Sequence, residues 1–242
     1  MNRRPLIFDV ETIGHIAPES RDEIVALAAG RELTPDAYAA LCPPLARVVC
    51  VAWFDPLAQR LGAAFDLTWC PGEAPEALDV DDRSAVPRAF SCVLQGCDGE
   101  AALLATFGRV VEHYLAQPNG LLVTYNGRGF DLPVLIHRSI THDVTDGRAL
   151  LVKAMGENRY RPQSHVDLME VVTFSGASGR WPMSTYAMGY GGKSPKTEMH
   201  GAHVSAAVHA GRIIEVLRYC AGDVLATAYI YDRTACLLPS NS

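Results

Sequence analysis

Two acidic residues near the N-terminus, Asp9 and Glu11, stand one position apart at the end of an apolar run that begins at Leu6. Such a run predicts a buried strand, in which residues i and i+2 point to the same face with Cα atoms about 6.5 Å apart. Two carboxylates that converge in this way repel each other unless a cation lies between them. Their hard oxygen ligands suit Mg²⁺ or Mn²⁺. Taken alone, the pair is also explained by two solvated acids at the end of a strand.

A third acidic residue, Asp131, follows a second apolar run at 121–125 and a glycine-bearing turn at 126–130. A strand, a turn and a helix start place the turn at the C-terminal end of the strand, where open α/β sheets bind ligands. Asp131 would also suit the N-cap of the following helix, which has Pro133 in its first turn. The local sequence leaves capping and ligation open.

Tyr219 and Asp223 lie one helical turn apart in a long amphipathic pattern near the C-terminus. Their i, i+4 spacing puts them side by side on a stripe next to the buried one. A local hydrogen bond at the edge of the core would also explain this pair. The buried stripe consists of Ile213, Leu217, Cys220, Val224 and Ala228.

The composition indicates a globular protein with a sizeable core. The chain has 242 residues, of which 49% are hydrophobic, and its formal net charge is -6. This charge argues against coating of duplex nucleic acid through a basic surface, but not against an enzyme that holds one end of a strand. The seven cysteines include no Cys-x-x-Cys pair, which argues against a disulfide framework or a zinc ribbon.

The domain organisation predicted from the sequence is simple. We expect one domain over 1–242, with insertions at about 14–46 and 71–97. No apolar stretch reaches the length of a signal-peptide core or a membrane span. We therefore expect a cytoplasmic protein with no membrane partner.

Turn residues and periodicity predict the elements that must position these acids. Helices are expected to begin at Ser20, with Glu23 completing a capping-box pattern, and at Thr34, which precedes Pro35. We interpret 71–97 as an irregular loop. Further elements are expected as strands at 47–54 and 60–69 paired in a hairpin, a short strand at 90–94, and helices at 98–117, 146–156, 182–188 and 211–233.

Four other polar residues could reach the site. His165 and Asp167 follow a polar connector at 160–164 and alternate with apolar residues, and structural hydrogen bonds are the simpler explanation for both. Lys193 and Lys196 lie in a glycine-bearing loop at 189–200 and could touch phosphate, although lysines in loops are usually solvated.

Three motifs in order resemble those of the DEDD superfamily of 3′-to-5′ exonucleases. They are Asp9-Val10-Glu11, Asn126-Gly127-Arg128-Gly129-Phe130-Asp131 and Tyr219-Cys220-Ala221-Gly222-Asp223. The tyrosine four residues before the last aspartate is typical of the DEDDy branch, and the chain looks most like the predicted exonucleases related to the proofreading domain of family B DNA polymerases. The resemblance implies an α/β, ribonuclease H-like fold, with a central mixed sheet whose first three strands are antiparallel and which helices flank.

The resemblance also implies the site. Two divalent cations, Mg²⁺ or Mn²⁺, would bind the four acidic residues, and Tyr219 would orient the attacking water. Because the phenol pKa is about 10, we assign Tyr219 orientation and not deprotonation. The catalytic set is then Asp9, Glu11, Asp131, Tyr219 and Asp223. The positions at which family members meet the terminal nucleotide are Thr12, Asn126 and Phe130, of which Phe130 could equally belong to the core.

The function implied is release of nucleoside 5′-monophosphates from the 3′ end of single-stranded DNA by a two-metal mechanism. Cleavage of RNA or of short oligonucleotides, a phosphodiesterase acting on a small nucleotide, and a non-catalytic nucleic-acid-binding partner in replication or repair are the alternatives. The sequence identifies no protein partner. It departs from the family pattern at Met199-His200-Gly201, where an Asp-Gly pair is usual, which bears on substrate choice.

Overall fold

The sheet organises the protein, which we describe from a computed structural model covering residues 3–81, 88–158, 163–193 and 199–238. Within these ranges the strands are β1 (Arg4–Gly14), β2 (Ala46–Asp55), β3 (Arg60–Asp66), β4 (Ala77–Asp81), β5 (Ala89–Cys97), β6 (Gly120–Thr124) and β7 (His165–Asp167). The helices are α1 (Arg21–Ala29), α2 (Pro35–Leu41), α3 (Gly99–Leu115), α4 (Asp131–Thr141), α5 (Arg148–Gly156), α6 (Leu168–Val172), α7 (Met183–Gly189), α8 (Gly201–His209) and α9 (Ile213–Arg233).

The described strands form one mixed sheet in the order β4-β5-β3-β2-β1-β6-β7. The first three strands pair antiparallel as a meander. β6 joins β1 in parallel, and β7 joins β6 in parallel. This topology confirms the predicted α/β, ribonuclease H-like fold. It also brings the C-terminal ends of β1, β6 and β7 to one edge of the sheet.

Strand alternation divides the core between the two faces of the sheet. On one face Ile7 and Val123 pack with the apolar side of α9. On the other face Phe8 and Leu122 pack with α3, α4 and α5. Because successive strand residues point to opposite faces, Asp9 and Glu11 share the α9 face with Ile7.

The predicted insertion at 14–46 holds the two expected helices, α1 and α2. Thr34 caps α2 by accepting a hydrogen bond from the Ala37 amide at 3.2 Å, as the sequence predicts. The expected capping box at Ser20 is wrong, because the Ser20 side chain makes no capping hydrogen bond. α2 packs so closely on the end of β1 that a Cβ at Gly14 would lie 2.5 Å from the Asp36 carbonyl oxygen.

The irregular loop expected at 71–97 is wrong for most of its described residues from 77 onwards, which form β4 and β5, whereas the short strand expected at 90–94 is confirmed within β5. β4 and β5 pair antiparallel, and β5 adds to β3 in parallel at the edge of the sheet. Leu78, Val80 and Cys92 are buried towards α9, whereas the alternate residues are exposed. The pattern was missed because only one face of this hairpin is covered, and its apolar residues are few.

Two smaller features also differ from the sequence-based expectation. The strand expected at 60–69 ends at Asp66, whose carboxylate accepts the Thr68 amide at 2.9 Å and starts a 3-10 turn. The helix α8, which was not predicted, directly follows the loop expected at 189–200 and begins just after the unusual Met199 and His200. Lys196 and most of the connector at 160–164 lie outside the described residues, whereas Lys193 is exposed.

A buried ion pair joins the helices on the α3 face. Arg138 of α4 donates to both carboxylate oxygens of Glu100 in α3, at 2.8 and 2.7 Å. Glu100 also accepts the Val48 amide at 2.8 Å, which ties the pair to β2. These hydrogen bonds satisfy charges that would otherwise be costly to bury. Among the described residues, no helix is long and apolar enough to cross a membrane.

Candidate active site

The first carboxylates emerge from β1 on the face that α9 covers. Asp9 and Glu11 are half-buried, whereas Val10 between them points into the opposite core. Directly after Glu11 the pairing with β2 shifts by one residue, because Glu11 pairs with Cys50 and Thr12 pairs with Val48. A bulge of this kind bends a strand and redirects its side chains, and such bulges are frequent beside active sites.

The helix α9 supplies the next two residues. Its buried stripe packs on the sheet, so the adjacent positions 219 and 223 lie half-buried at the edge of that contact. Tyr219 and Asp223 hydrogen-bond to each other, and the charges of Asp9 and Glu11 act on the Tyr219 hydroxyl. Tyr219 and Asp223 therefore make the local hydrogen bond that the sequence allowed, and Tyr219 also lies beside the carboxylates of β1.

Asp131 stands at the start of α4, but it does not cap that helix. Phe130 occupies the N-cap position, and its side chain makes no capping hydrogen bond. One carboxylate oxygen of Asp131 instead accepts the Val10 amide at 3.2 Å. This hydrogen bond fixes the third carboxylate against the residue that separates Asp9 from Glu11, and only 4% of Asp131 is exposed.

The electrostatics reflect this crowding. Burial, followed by the charges of Asp131 and Asp223, raises the pKa of Asp9 well above its ordinary value. Burial, followed by the Asp9 charge, raises the pKa of Glu11 in the same way. Burial raises the pKa of Asp131 to about 7. A positive ion would relieve this repulsion and would favour the ionised carboxylates.

Cys220 lies beside the site, although the sequence pattern assigned it only to the buried stripe of α9. Its thiol lies 3.4 Å from the Asp9 carbonyl oxygen and 3.7 Å from Asp9 Oδ2. Burial raises its pKa well above the ordinary value, so the group is a neutral thiol here. The available clue was its position next to Tyr219 and three residues before Asp223.

The donor set fits divalent cations. Ligand atoms of Asp9, Glu11 and Cys220 all lie within 4.8 Å of one another. Asp131 and Asp223 act electrostatically on the same two carboxylates. Oxygen donors outnumber the one sulfur, which favours hard ions of the Mg²⁺ and Mn²⁺ type.

The turn that delivers Asp131 is held by Asp167. The Asp167 carboxylate accepts the amides of Asn126 at 2.8 Å and Arg128 at 3.0 Å, and it also accepts the Met169 amide at 3.0 Å. Asn126 adopts a left-handed conformation with φ of 65°. The structural hydrogen bonds expected for Asp167 are therefore present, and they set the path of the second motif.

His165 is likewise a structural residue. It is fully buried, and its Nε2 lies 2.9 Å from the Thr124 hydroxyl. Burial, together with the nearby Arg128 charge, lowers the pKa of His165 to about 3. The ring is therefore neutral at physiological pH.

Replacing Asp167 should weaken both the fold and the site. Asp167→Asn leaves one acceptor oxygen for three amides, and we expect a loss of about 2 kcal/mol in unfolding free energy, since hydrogen bonds to a charged group contribute about 1.5–3 kcal/mol. Urea unfolding measures this. Asp143→Asn, at an exposed position after α4, is the matched control. Equal stability of the two variants would contradict the role given to Asp167.

The three residues expected to contact the terminal nucleotide have different surroundings. Thr12 is buried, and its hydroxyl donates to the Ala40 carbonyl oxygen at 2.9 Å, which joins β1 to α2. Phe130 packs partly buried against the core on the α3 face. Asn126 is half-buried, with its side chain carbonyl beside Gly129. Nucleotide contact by these residues stays a prediction.

Comparison with known families identifies one match. A family described as a predicted 3'-5' exonuclease related to the exonuclease domain of PolB matches residues 81–239. The matched range includes the second and third motifs, and β1 with the first motif lies outside it. No curated protein matches the chain.

Proposed function

The chain belongs to this family of predicted 3'-5' exonucleases related to the exonuclease domain of PolB, and on that premise we propose that it removes nucleotides from the 3′ end of single-stranded DNA. A 3'-5' exonuclease acts on nucleic acid, and exonuclease domains of this kind usually use divalent metals. We propose two such cations, Mg²⁺ or Mn²⁺, and products that are nucleoside 5′-monophosphates.

One observation carries the proposal above all. The carboxylates of Asp9, Glu11, Asp131 and Asp223 influence one another at a single place, although they come from three separate parts of the chain. Burying several carboxylates together costs free energy, which a structural role does not repay. A site that works by binding cations accounts for that cost.

The proposed roles follow from the surroundings of each residue. The four carboxylates would bind the cations, which when bound stabilise charge on the attacking and leaving oxygens of an in-line displacement. Tyr219 would orient the attacking water through its hydroxyl. Burial, followed by the charges of Asp223, Glu11 and Asp9, raises the Tyr219 pKa, so the phenol keeps its proton and is unsuited to act as a base.

The test is trimming of 5′-labelled oligomers. Wild-type protein with Mn²⁺ or Mg²⁺ should give a ladder of 3′-shortened products from single-stranded DNA, and EDTA should stop it. An RNA oligomer of the same sequence tests the RNA alternative, and a dinucleotide tests the small-substrate alternative. If the protein binds single strands normally but releases no mononucleotide, the enzyme proposal is wrong and the non-catalytic alternative is favoured.

Tyr219→Phe should slow trimming by about 10- to 100-fold, because residues that orient a group at a metal site typically contribute that much. Metal affinity, measured by calorimetry, should change little because all four carboxylates remain. Tyr231→Phe, two turns beyond Asp223 on the same helix, is the control. Loss of trimming as complete as that caused by losing a carboxylate would contradict the orienting role.

A further inference from the structure

We propose that Trp181 and Arg180, on the loop between α6 and α7, form a binding platform for single-stranded DNA on the 5′ side of the terminal nucleotide. This inference rests on the proposed function and extends it to the strand that enters the site. It assigns a role to a segment that none of the three motifs includes.

The first support is position. Ile7 of β1 pairs with Val123 of β6, and two residues further along the chain from each stand Asp9 in β1 and Tyr125, directly after the end of β6. Asp9 points to the face that α9 covers because strand residues alternate, and Tyr125 packs against the core on that face. The Tyr125 hydroxyl donates to the Trp181 carbonyl oxygen at 2.6 Å. The loop is thus tied to the residue that directly follows β6, the strand that pairs with β1.

The second support is a row of aromatic side chains that begins at Tyr125. Tyr125, Tyr186 and Tyr190 form a row with ring centroids 6.4 and 6.1 Å apart. The helix α7, which carries Tyr186 and ends directly before Tyr190, packs on α9. Thr227, one turn after Asp223, lies 3.1 Å from the Met183 sulfur and donates to the Asp223 carbonyl oxygen at 2.8 Å. The helix α7 therefore contacts α9 one turn beyond Asp223.

The third support is the chemistry of the loop surface. Trp181 is 56% exposed although it is large and apolar, and Phe174 on the same loop is 63% exposed. Arg180 is exposed and lines a cavity of about 340 Å³ together with Asn126 and Arg128 of the second motif; Glu157, Asp167 and Glu170 line it too. Arg128 lies 3.3 Å from Glu170, so Arg180 is the arginine that we assign to phosphate. Exposed aromatic rings beside arginines are the surface on which single strands stack their bases and place their phosphates.

Hydrogen bonds hold the Phe174 end of the loop in place. Thr173 donates to the Met169 carbonyl oxygen at 2.6 Å and accepts the Gly176 amide at 3.0 Å. Phe174 itself has φ of 50°, which is costly for a bulky side chain and persists only where neighbouring contacts enforce it. A net charge of -6 makes local cations such as Arg180 the more important for holding phosphates.

A protein–protein contact would also use exposed aromatics, but two observations favour nucleic acid. The platform adjoins the second motif, and its charged member is an arginine facing the same cavity as Asn126. Stacking on Trp181 is sequence-tolerant because every base has a π-face. An exonuclease that steps along a strand needs contacts of this kind.

Equilibrium binding of fluorescein-labelled oligo(dT), with Ca²⁺ in place of the reactive metal, tests the platform. Trp181→Ala should weaken binding about 10-fold, the effect of losing one stacked base. Trp181→Phe should bind within about 2-fold of wild type, since a second aromatic ring can stack. Leu57→Ala, an equally exposed apolar residue in the β2–β3 turn at the opposite end of the sheet, is the control.

Tryptophan fluorescence gives a readout that a structural role would not move. The chain has three tryptophans, of which Trp53 and Trp69 are half-buried. Unlabelled oligo(dT) should quench the wild-type emission, and Trp181→Phe should lose most of that quenching while it still binds DNA. Unchanged quenching in Trp181→Phe, or unchanged affinity in Trp181→Ala, would overturn the proposal.

Activity separates this proposal from the proposed function. Two substrates are compared by kcat/KM: a long oligomer, and the p-nitrophenyl ester of thymidine 5′-monophosphate. Trp181→Ala should lower the ratio of the first value to the second by about 10-fold, because only the oligomer reaches the platform. If the wild-type protein trims DNA and Trp181→Ala leaves this ratio unchanged, the platform proposal is wrong and the exonuclease proposal stands. If oligo(dT) quenches the tryptophan emission but neither substrate is hydrolysed, the exonuclease proposal is wrong and the platform proposal stands.

Discussion

Asp9→Asn should abolish trimming of single-stranded DNA, with kcat/KM falling by about 10³-fold or more. The carboxylate stands at the centre of the acidic cluster, and bound cations supply several kcal/mol of transition-state stabilisation at about 1.4 kcal/mol per factor of ten in rate. Rates measured on 5′-labelled oligomers at saturating Mn²⁺ check this. Asp79→Asn, on the exposed side of β4, is the matched control and should trim normally.

The same variant should be more stable than wild type when metal is removed. Asp9 suffers the repulsion of Asp131 and Asp223, and the neutral amide removes that repulsion. We therefore expect a higher Tm for Asp9→Asn in EDTA, together with loss of the stabilisation that Mn²⁺ gives to wild type. A variant that is inactive but still stabilised fully by Mn²⁺ would contradict the assignment of Asp9 as a ligand.

The metal-free protein should lose stability as the pH rises from about 6.5 to 8, by about 1 kcal/mol in unfolding free energy from Asp131 alone. The folded pKa of Asp131 is raised to about 7, and those of Asp9 and Glu11 are raised well above their ordinary values. A group with a raised folded pKa holds its proton more tightly in the folded protein. Its contribution is complete below the unfolded pKa of about 4 and is lost as the pH rises through the folded value.

The window is chosen so that His165 does not interfere. Its folded pKa is lowered to about 3, so it destabilises the fold only below its unfolded value of about 6.5. Urea unfolding in EDTA at several pH values measures the slope. Asp131→Asn should flatten it, and saturating Mg²⁺ or Mn²⁺ should remove it. Stability that rises with pH in EDTA across this window would contradict the raised pKa values.

The glutamate–arginine pair shows one limit of sequence reasoning. Glu100 and Arg138 stand 38 residues apart in separate amphipathic helices, and each looks like a solvated surface charge in the sequence. They are buried because α3 and α4 pack against the same face of the sheet. No local pattern encodes that packing.

Much of the candidate site is nevertheless encoded locally. The alternation in β1 puts Asp9 and Glu11 on one face, and the i, i+4 spacing in α9 puts Tyr219 beside Asp223. Both follow from the fixed periods of a strand and a helix. The order of three motifs predicted the family, and the match over 81–239 confirms it. The domain extent and the roles of the site residues stay predictions.

The sequence by itself therefore determined the pair Asp9 and Glu11 and the pair Tyr219 and Asp223, since each depends on a repeat within a few residues. The mixed α/β sheet was implied by the resemblance of the three motifs to a known family. Only the tertiary structure decided that Asp131 accepts the Val10 amide from 121 residues away and does not cap its own helix. It also decided that Cys220 touches Asp9 and that the Trp181 carbonyl oxygen accepts the Tyr125 hydroxyl. Contacts between distant segments depend on how whole helices and strands pack together. The local periodicity of the sequence does not predict them.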